Sequence, residues 1–201
     1  MKYSICVSGA AAGKTVDLSK KAAEDLGEAI AKSGHIITTG ATVGLPFYAA
    51  LAAHKAKGVS IGFSPATSLR EHVYKYRLPI GLYDFINFTG LNYVGRDAYL
   101  VQSSDAVITV GGRFGTLHEF TTALEDGKPC GVLIGSGGTA DVIEQLMDIL
   151  EAPQRRLVIY ESDPEVLVHK ILVKLDEEFG DIDTTSIANH WFLEQKSQHS
   201  G

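Results

Sequence analysis

A glycine-rich stretch near the middle of the chain has the residue types of an anion-binding loop. The apolar run Ala106–Val110 leads into Gly111-Gly112-Arg113-Phe114-Gly115-Thr116, and a helix-like segment follows. Glycines let a backbone approach a phosphate closely, and the free N–H groups of a first helical turn point at it. Thr116 adds a hydroxyl and Arg113 a cation. We therefore predict a nucleotide phosphate site here; the alternative is a tight turn in which the glycines serve geometry alone.

Two charged residues, Arg96 and Glu119, are the candidates for catalysis that the family resemblance given below implies. A carboxylate facing a ribose can stabilise an oxocarbenium-like sugar or act as a general base. An arginine can hold a phosphate or orient the carboxylate. We expect Glu119 to lie in the first turn of its helix, where the helix dipole would keep it ionised. The structural alternatives are an Arg96–Glu119 ion pair, or a capping box formed by Thr116 and Glu119.

Other motifs carry weaker signals. Ser8–Thr15 nearly spells a P-loop, but a Walker loop needs glycine or alanine at the place of Ser8. The next helix is predicted to begin later, capped by Asp17, so an NTPase is disfavoured. We expect Ser8 and Gly9 to lie beside a nucleotide crevice instead. The second glycine-rich turn, Gly135–Asp141, is predicted to be a flexible loop that caps the next helix, with contact to a ligand as the alternative. The seven histidines lack ligand spacing, so neither a metal site nor a resident cofactor is predicted.

The elements that must position these residues alternate between apolar runs and amphipathic segments, which is typical of repeated β-α units. Strands are predicted at 2–7, 35–39, 59–63, 84–88, 106–110, 130–134 and 156–160. Helices are predicted at 18–33, 45–57, 91–103, 115–126, 138–150 and 164–178. The fold class is a single Rossmann-like α/β domain over residues 1–180, with a doubly wound, mainly parallel sheet. Its strand carboxyl ends should bring Gly9, Gly40 and Gly112 together.

Two segments fit this pattern less well. Ser64–Tyr83 has no clean period, and it is either a functional lid or a poorly marked short helix over Leu69–Tyr76. Residues 181–201 are a polar tail in which only Trp191-Phe192-Leu193 offers an apolar anchor. The helix starting near Asn92 is richer in apolar residues than one buried stripe requires, which predicts a homodimer or larger assembly.

Composition excludes several classes of function. The chain has 201 residues and a formal net charge of −6, which argues against a nucleic-acid partner because phosphate contacts need a basic surface. Two cysteines in separate apolar runs suggest buried thiols rather than a disulfide framework or zinc site. No stretch has the length of a membrane span or a signal sequence, so we expect no membrane partner and a cytoplasmic location.

The loop and its flanks resemble a known family. Gly111–Glu119 is similar to the Pro-Gly-Gly-x-Gly-Thr-x-x-Glu motif of the Lonely guy (LOG) family. Arg96 stands where that family has the arginine of a Glu-Arg-Lys sequence, and its spacing to the glutamate matches. A glycine-rich turn after the family's second strand is echoed by Thr39–Pro46, which includes Gly40 and Gly44. The resemblance covers residues 1 to about 150.

The resemblance implies a Rossmann fold, a homo-oligomer and hydrolysis of cytokinin riboside 5′-monophosphates to free base and ribose 5-phosphate. Members often carry the label lysine decarboxylase, which no lysine placed for a Schiff base supports here. Four positions depart from the motifs: Gly111 replaces proline, Arg113 glycine, Gly95 glutamate and Asp97 lysine. The chain is thus similar to the wider LOG-like set, which includes molybdenum-cofactor carrier proteins. Two functions remain open: a nucleoside 5′-monophosphate phosphoribohydrolase, and a non-catalytic carrier of a nucleotide or cofactor.

Overall fold

One parallel sheet of seven strands forms the centre of the chain. The computed structural model describes residues 2–180 and residue 182. The strands are β1 Ser4–Gly9, β2 Ile36–Thr39, β3 Val59–Ser64, β4 Phe85–Phe88, β5 Ala106–Val110, β6 Cys130–Leu133 and β7 Val158–Glu161. Their order in the sheet is β4-β3-β2-β1-β5-β6-β7, with every pair parallel. The predicted fold class is confirmed, and the strand order reverses between β1 and β5.

Helices cover both faces of this sheet. They are α1 Lys14–Lys32, α2 Leu45–Lys55, α3 Leu69–Tyr74, α4 Asn92–Gln102, α5 Phe114–Glu125, α6 Ile143–Ile149 and α7 Pro164–Phe179, with a 3₁₀ turn at Pro153–Leu157. Alternate residues of a strand point to opposite faces. Ile5 and Val7 of β1 therefore belong to the core under α1, α2 and α7, whereas Cys6 belongs to the core under α4, α5 and α6.

Two helices begin at residues other than the predicted ones. Helix α1 begins at Lys14 rather than at 18, with Gly13 as its N-cap, so the prediction of an Asp17 cap is wrong. Gly13 has φ of 103° and makes no side-chain bond to the helix, which explains why sequence gave no capping signal there. Helix α6 begins at Ile143 rather than 138, because turns occupy the residues between.

The irregular segment after β3 contains a short helix, α3, capped by the Ser68 side chain. Its anchor is His72, which is fully buried. One imidazole nitrogen bonds the Ser64 hydroxyl at 2.8 Å and the other lies 3.0 Å from the carbonyl oxygen of Pro79. The backbone N–H of Leu78 also donates to the His72 carbonyl. The His72 side chain therefore connects Ser64, at the start of the segment, with Pro79, near its end.

Almost all of the predicted polar tail, 181–201, lies outside the described residues, and this includes the predicted anchor Trp191-Phe192-Leu193. Over the described part of the chain, none of the helices combines the length and the apolar character that a bilayer crossing needs.

A close contact between α1 and α2 explains a glycine inside α1. A Cβ on Gly27 would lie 1.9 Å from the carbonyl oxygen of Ala49 in α2. Only glycine lets the two helices approach to this distance.

We expect Gly27→Ala to lower the free energy of unfolding by about 2 kcal/mol, since overpacking against backbone outweighs the roughly 1 kcal/mol gain in helix propensity. Chemical denaturation measures it. Gly115→Ala, in α5, is the control because a Cβ there meets no atom within 4 Å, and it should leave stability equal or higher. A Gly27→Ala protein as stable as the wild type would refute this account of the α1–α2 contact.

Candidate functional site

A cleft of about 330 Å³ opens at the carboxyl edge of the central strands. The turns after β1, β2 and β5 meet there, because β1 pairs with β2 on one side and with β5 on the other. Such a crevice at the reversal of strand order is the usual ligand site of doubly wound sheets. The lining residues are Val7, Gly9, Ala10, Ala11, Ala12, Gly40, Thr42, Val43, Pro46, Leu78, Tyr93, Arg96, Asp97, Arg113, Gly115, Thr116 and Glu119.

The glycine-rich loop after β5 forms one end of the cleft. Gly111 and Gly112 have φ of 57° and 107°, a left-handed backbone that side chains rarely adopt. A Cβ on Gly112 would also lie 2.5 Å from Thr116. Arg113 is the N-cap of α5, and Leu117 makes the first backbone bond back to it. The N–H groups of the intervening turn precede that bond and are available to an anion.

A second loop, after β6, supports the first. The Ser136 hydroxyl accepts the N–H of Gly111 at 2.8 Å, and the N–H of Ala140 donates to the Gly111 carbonyl. The Thr139 hydroxyl donates to the carbonyl of Arg113 at 2.9 Å. The turn Gly135–Asp141 was predicted to cap a helix or to contact a ligand; the structure shows that it fixes the backbone of the glycine-rich loop.

The remaining predicted binding residues divide into two groups. Gly9 and Gly40 line the cleft, as predicted. Gly44 lies behind it as the N-cap of α2, where a Cβ would be 2.2 Å from the carbonyl oxygen of Ala10. Phe114 is 90% exposed and is absent from the lining, so its side chain points to solvent rather than into the cleft. The roles of Gly9, Gly40, Gly44 and Phe114 in ligand binding stay predictions.

Glu119 lies at the floor of the cleft, in an environment that the sequence did not indicate. It is the sixth residue of α5 rather than a first-turn residue, and Thr116 is the third, so the predicted capping box is wrong. Its side chain is buried and accepts a hydrogen bond from the Ser8 hydroxyl. Burial raises the pKa of Glu119 to about 7, with Asp97 adding to the rise and Arg96 and Ser8 opposing it. The expectation of a dipole-held carboxylate is thus also wrong.

Arg96 is buried beside Glu119 with little hydrogen bonding of its own. It is 4% exposed, and neither Nε nor Nη1 has a hydrogen-bond partner among the described residues. Its nearest carboxylate is that of Asp97, with Nε 3.4 Å from Oδ1. Within the chain as described, no ion pair joins Arg96 to Glu119, so that structural alternative is not formed. The guanidinium lies over Gly40, whose Cβ would be 1.6 Å from Nη1.

Ten of the lining residues were not predicted as site residues, and Asp97 is the charged residue among them. Asp97 is 6% exposed, and its Oδ2 lies 3.1 Å from Nδ1 of His118. The only signal for it was a charged residue next to Arg96 on a helix otherwise rich in apolar residues. Leu78 comes from the irregular segment, and Tyr93 from the first turn of α4. Among the residues that the structure describes, no group of His, Cys, Asp and Glu side chains could hold a metal ion.

Because Glu119 holds its proton in the folded state, we expect the free energy of unfolding to depend on pH. Between pH 4.5, where the unfolded chain releases this proton, and about pH 7, the folded state binds more protons than the unfolded state. The free energy of unfolding should therefore fall as pH rises through this window, by roughly 3 kcal/mol from this group. Glu119→Gln should remove that part of the slope in urea titrations at several pH values.

The matched control is Glu125→Gln, which replaces an exposed carboxylate on the same helix and should keep the wild-type slope. If the slopes of wild type and Glu119→Gln coincide, Glu119 does not hold a proton in the folded state at neutral pH.

Comparison with known proteins agrees with this architecture. The structural genomics target TM1055 has 25% identity and a TM-score of 0.74, with 87% of this chain and 99% of that one covered. The molybdenum cofactor binding protein of Rippkaea orientalis has 29% identity, coverage of 87% and 98%, and a TM-score of 0.71. The Moco carrier protein of Chlamydomonas reinhardtii has 27% identity, coverage of 89% and 99%, and a TM-score of 0.71.

A family model supplies the assignment. The model of the SLOG cluster4 family matches residues 2–168, which is most of the chain and includes every lining residue of the cleft. The resemblance found in the glycine-rich loop, Arg96 and Glu119 is therefore part of a match along the whole sheet. The chain belongs to the SLOG cluster4 family, within the LOG-like and molybdenum-cofactor-carrier-like Rossmann proteins.

Proposed function

We propose that this chain binds a phosphate-bearing, nucleotide-containing small molecule in the cleft and holds it without cleaving it. The observation that carries the proposal is the division of the cleft into two chemically different ends. One end is the glycine-rich loop with its backbone N–H groups and Arg113. The other is the buried group formed by Arg96, Asp97 and Glu119.

The first end suits a phosphate. The N–H groups at the start of α5 and the left-handed glycines before it form a concave anion site. Glu119 follows Thr116 by three residues, so it lies roughly 4.5 Å further along the helix axis. A phosphate at the loop therefore places the attached sugar, rather than the phosphate itself, over Arg96 and Glu119.

The buried end of the cleft, with Arg96, Asp97 and Glu119, favours binding of the ligand over its cleavage. Glycoside hydrolysis uses an ionised carboxylate at the sugar, as nucleophile or as the base that activates water. Glu119 is buried, bonded to Ser8 and holds its proton to about pH 7, and no ion pair to Arg96 was found in the described residues. A protonated carboxyl is neither a nucleophile nor a base, so this end of the cleft can contact a sugar without activating water.

The relatives support the same choice. Two solved structures similar to this chain are those of a molybdenum cofactor binding protein and a Moco carrier protein. For a cargo of that kind, the anion site and the hydrogen-bond donors of the cleft suit the phosphate and the organic part. The homo-oligomer also stays a proposal: Val94 and Tyr99 of α4 are exposed, and a second copy of the chain would cover them.

We expect the wild type to bind AMP at least tenfold more tightly than adenosine in isothermal titration calorimetry, because charge-assisted bonds at the loop are worth about 1.5–3 kcal/mol each. Gly112→Ala should abolish this preference, since its Cβ would collide with Thr116 and strain the backbone. The matched control is Gly34→Ala, which has a similar left-handed φ of 82° but meets no atom within 4 Å. Equal affinities for AMP and adenosine would rule out the loop as a phosphate site.

One observation favours a second candidate, the nucleoside 5′-monophosphate phosphoribohydrolase. A carboxyl group with a pKa near 7 is suited to general acid–base catalysis at neutral pH. The residues would be Glu119 as general acid or base and Arg96 as the group that positions the ribose phosphate. The two candidates differ in whether free base is released.

We expect wild-type protein incubated with AMP to keep the nucleotide bound and to release no adenine, measured by chromatography of the free and protein-bound fractions. Arg96→Ala should weaken binding, and Glu119→Gln should change affinity only. The opposite result identifies the hydrolase: adenine release by the wild type that falls about 10²–10³-fold in Glu119→Gln while AMP still binds.

A further inference from the structure

A chain of side chains leads from the protein surface to the floor of the cleft, and neither proposed function uses its outer part. His118 is about half exposed, and its Nδ1 lies 3.1 Å from Oδ2 of Asp97. Asp97 is buried between His118 and Arg96, whose Nε is 3.4 Å from the other carboxylate oxygen. Glu119 lines the same floor and is likewise buried, and its hydrogen bond comes from Ser8.

Two buried carboxyl groups and one guanidinium share the floor. If Asp97 and Glu119 were both ionised, Arg96 would compensate only one of two buried negative charges, which favours a proton on one of the pair. Nδ1 of His118 lies within hydrogen-bond distance of Asp97, and the Arg96 guanidinium lies 3.4 Å from its other oxygen, so these neighbours stabilise Asp97 as the ionised member. The Ser8 hydroxyl donates to one oxygen of Glu119, which leaves the other oxygen to carry the proton.

We propose that Asp97 and His118 are positioning residues that keep Glu119 protonated, and that the cleft floor therefore accepts an anionic ligand only while this proton is held. With Arg96 positive, Asp97 negative and Glu119 neutral, the floor carries no net charge. Loss of the proton adds one buried negative charge facing the cleft, which repels a phosphate ester. The part about ligand acceptance rests on the proposed function; the part about the proton does not.

The other ionisable groups around the floor do not account for a change of charge near pH 7. Cys6 on β1 lies beneath Glu119, and burial raises the pKa of its thiol well above the ordinary value. Tyr83 bonds Thr39 beside Gly40, and burial raises its pKa to about 12. Arg113 lines the opposite end of the cleft and keeps its charge at any pH near neutral. The imidazole of His118 lies within hydrogen-bond distance of Asp97, so His118 is the group that an experiment must separate from Glu119.

The first test needs no ligand. Carbon-13 NMR of the glutamate side-chain carboxyls, with Glu119→Gln to assign the signal, should show Glu119 titrating near pH 7. Asp97→Asn should lower that midpoint by a pH unit or more, because it removes the negative partner. His118→Ala should lower it by about half a unit, since Asp97 then competes for the proton, and His118→Gln, which keeps a donor, should restore it.

A Glu119 midpoint near its ordinary value in the wild type would overturn the proposal. So would a midpoint that neither Asp97→Asn nor His118→Ala moves. The His118 pair keeps the test decisive if Asp97→Asn fails to fold, because His118 is half exposed and tolerates replacement.

The second test uses AMP binding between pH 6 and 8. The wild-type affinity should fall by about tenfold more than that of Glu119→Gln over this range, since the bound state holds one proton that the free protein loses near pH 7. The phosphate of AMP titrates equally in both proteins, so their difference reports on Glu119 alone. His118→Gln should keep the wild-type pH dependence.

A pH dependence that disappears in His118→Gln and persists in Glu119→Gln would assign the switch to the imidazole and overturn the proposal. Absence of AMP binding at every pH would instead count against the proposed function, and the NMR titration would still decide the question of the proton.

Discussion

The guanidinium of Arg96 occupies the space that any side chain at position 40 would need, and the arrangement of the cleft follows from this contact. A Cβ on Gly40 would lie 1.6 Å from Nη1, well inside van der Waals contact. The backbone after β2 therefore lies directly against the guanidinium of Arg96, and α4 brings Arg96 and Asp97 to the cleft at the carboxyl edge of β1. A side chain at position 40 would displace the guanidinium from this place beside Asp97.

The same approach buries charge, which is costly unless the groups compensate one another. Arg96, Asp97 and Glu119 are each less than a tenth exposed. Stability alone does not favour such a cluster, because well-packed apolar side chains of similar volume are often equally stable or better. Incompletely bonded nitrogens on Arg96 add to the cost. A cluster of this kind, at the reversal of strand order and beside an anion site, is typical of residues retained for binding or chemistry.

The sequence predicts those parts of the fold that are determined by residues close together in the chain. The strand at 106–110 is apolar on both faces and was found with the predicted bounds. The start of α1 was missed because Gly13 caps by conformation alone and leaves no polar residue to read. The state of Glu119 was wrongly predicted for a different reason: its burial depends on α4 and β1, which are distant in sequence. The glycine-rich loop was predicted as a strand-to-helix turn, but its support by Ser136 depends on β6 pairing with β5.

The support of the glycine-rich loop by the turn after β6 affects the order in which the chain folds during synthesis. The residues that brace the loop, Ser136 to Ala140, are synthesised after it and reach their places only when β6 joins the edge of β5. A nascent chain that ends before residue 130 already contains every charged residue of the cleft, but its loop lacks the bonds that hold Gly111 and Arg113 in their conformation. During synthesis, the glycine-rich loop therefore reaches its final conformation only after the sixth strand has joined the sheet.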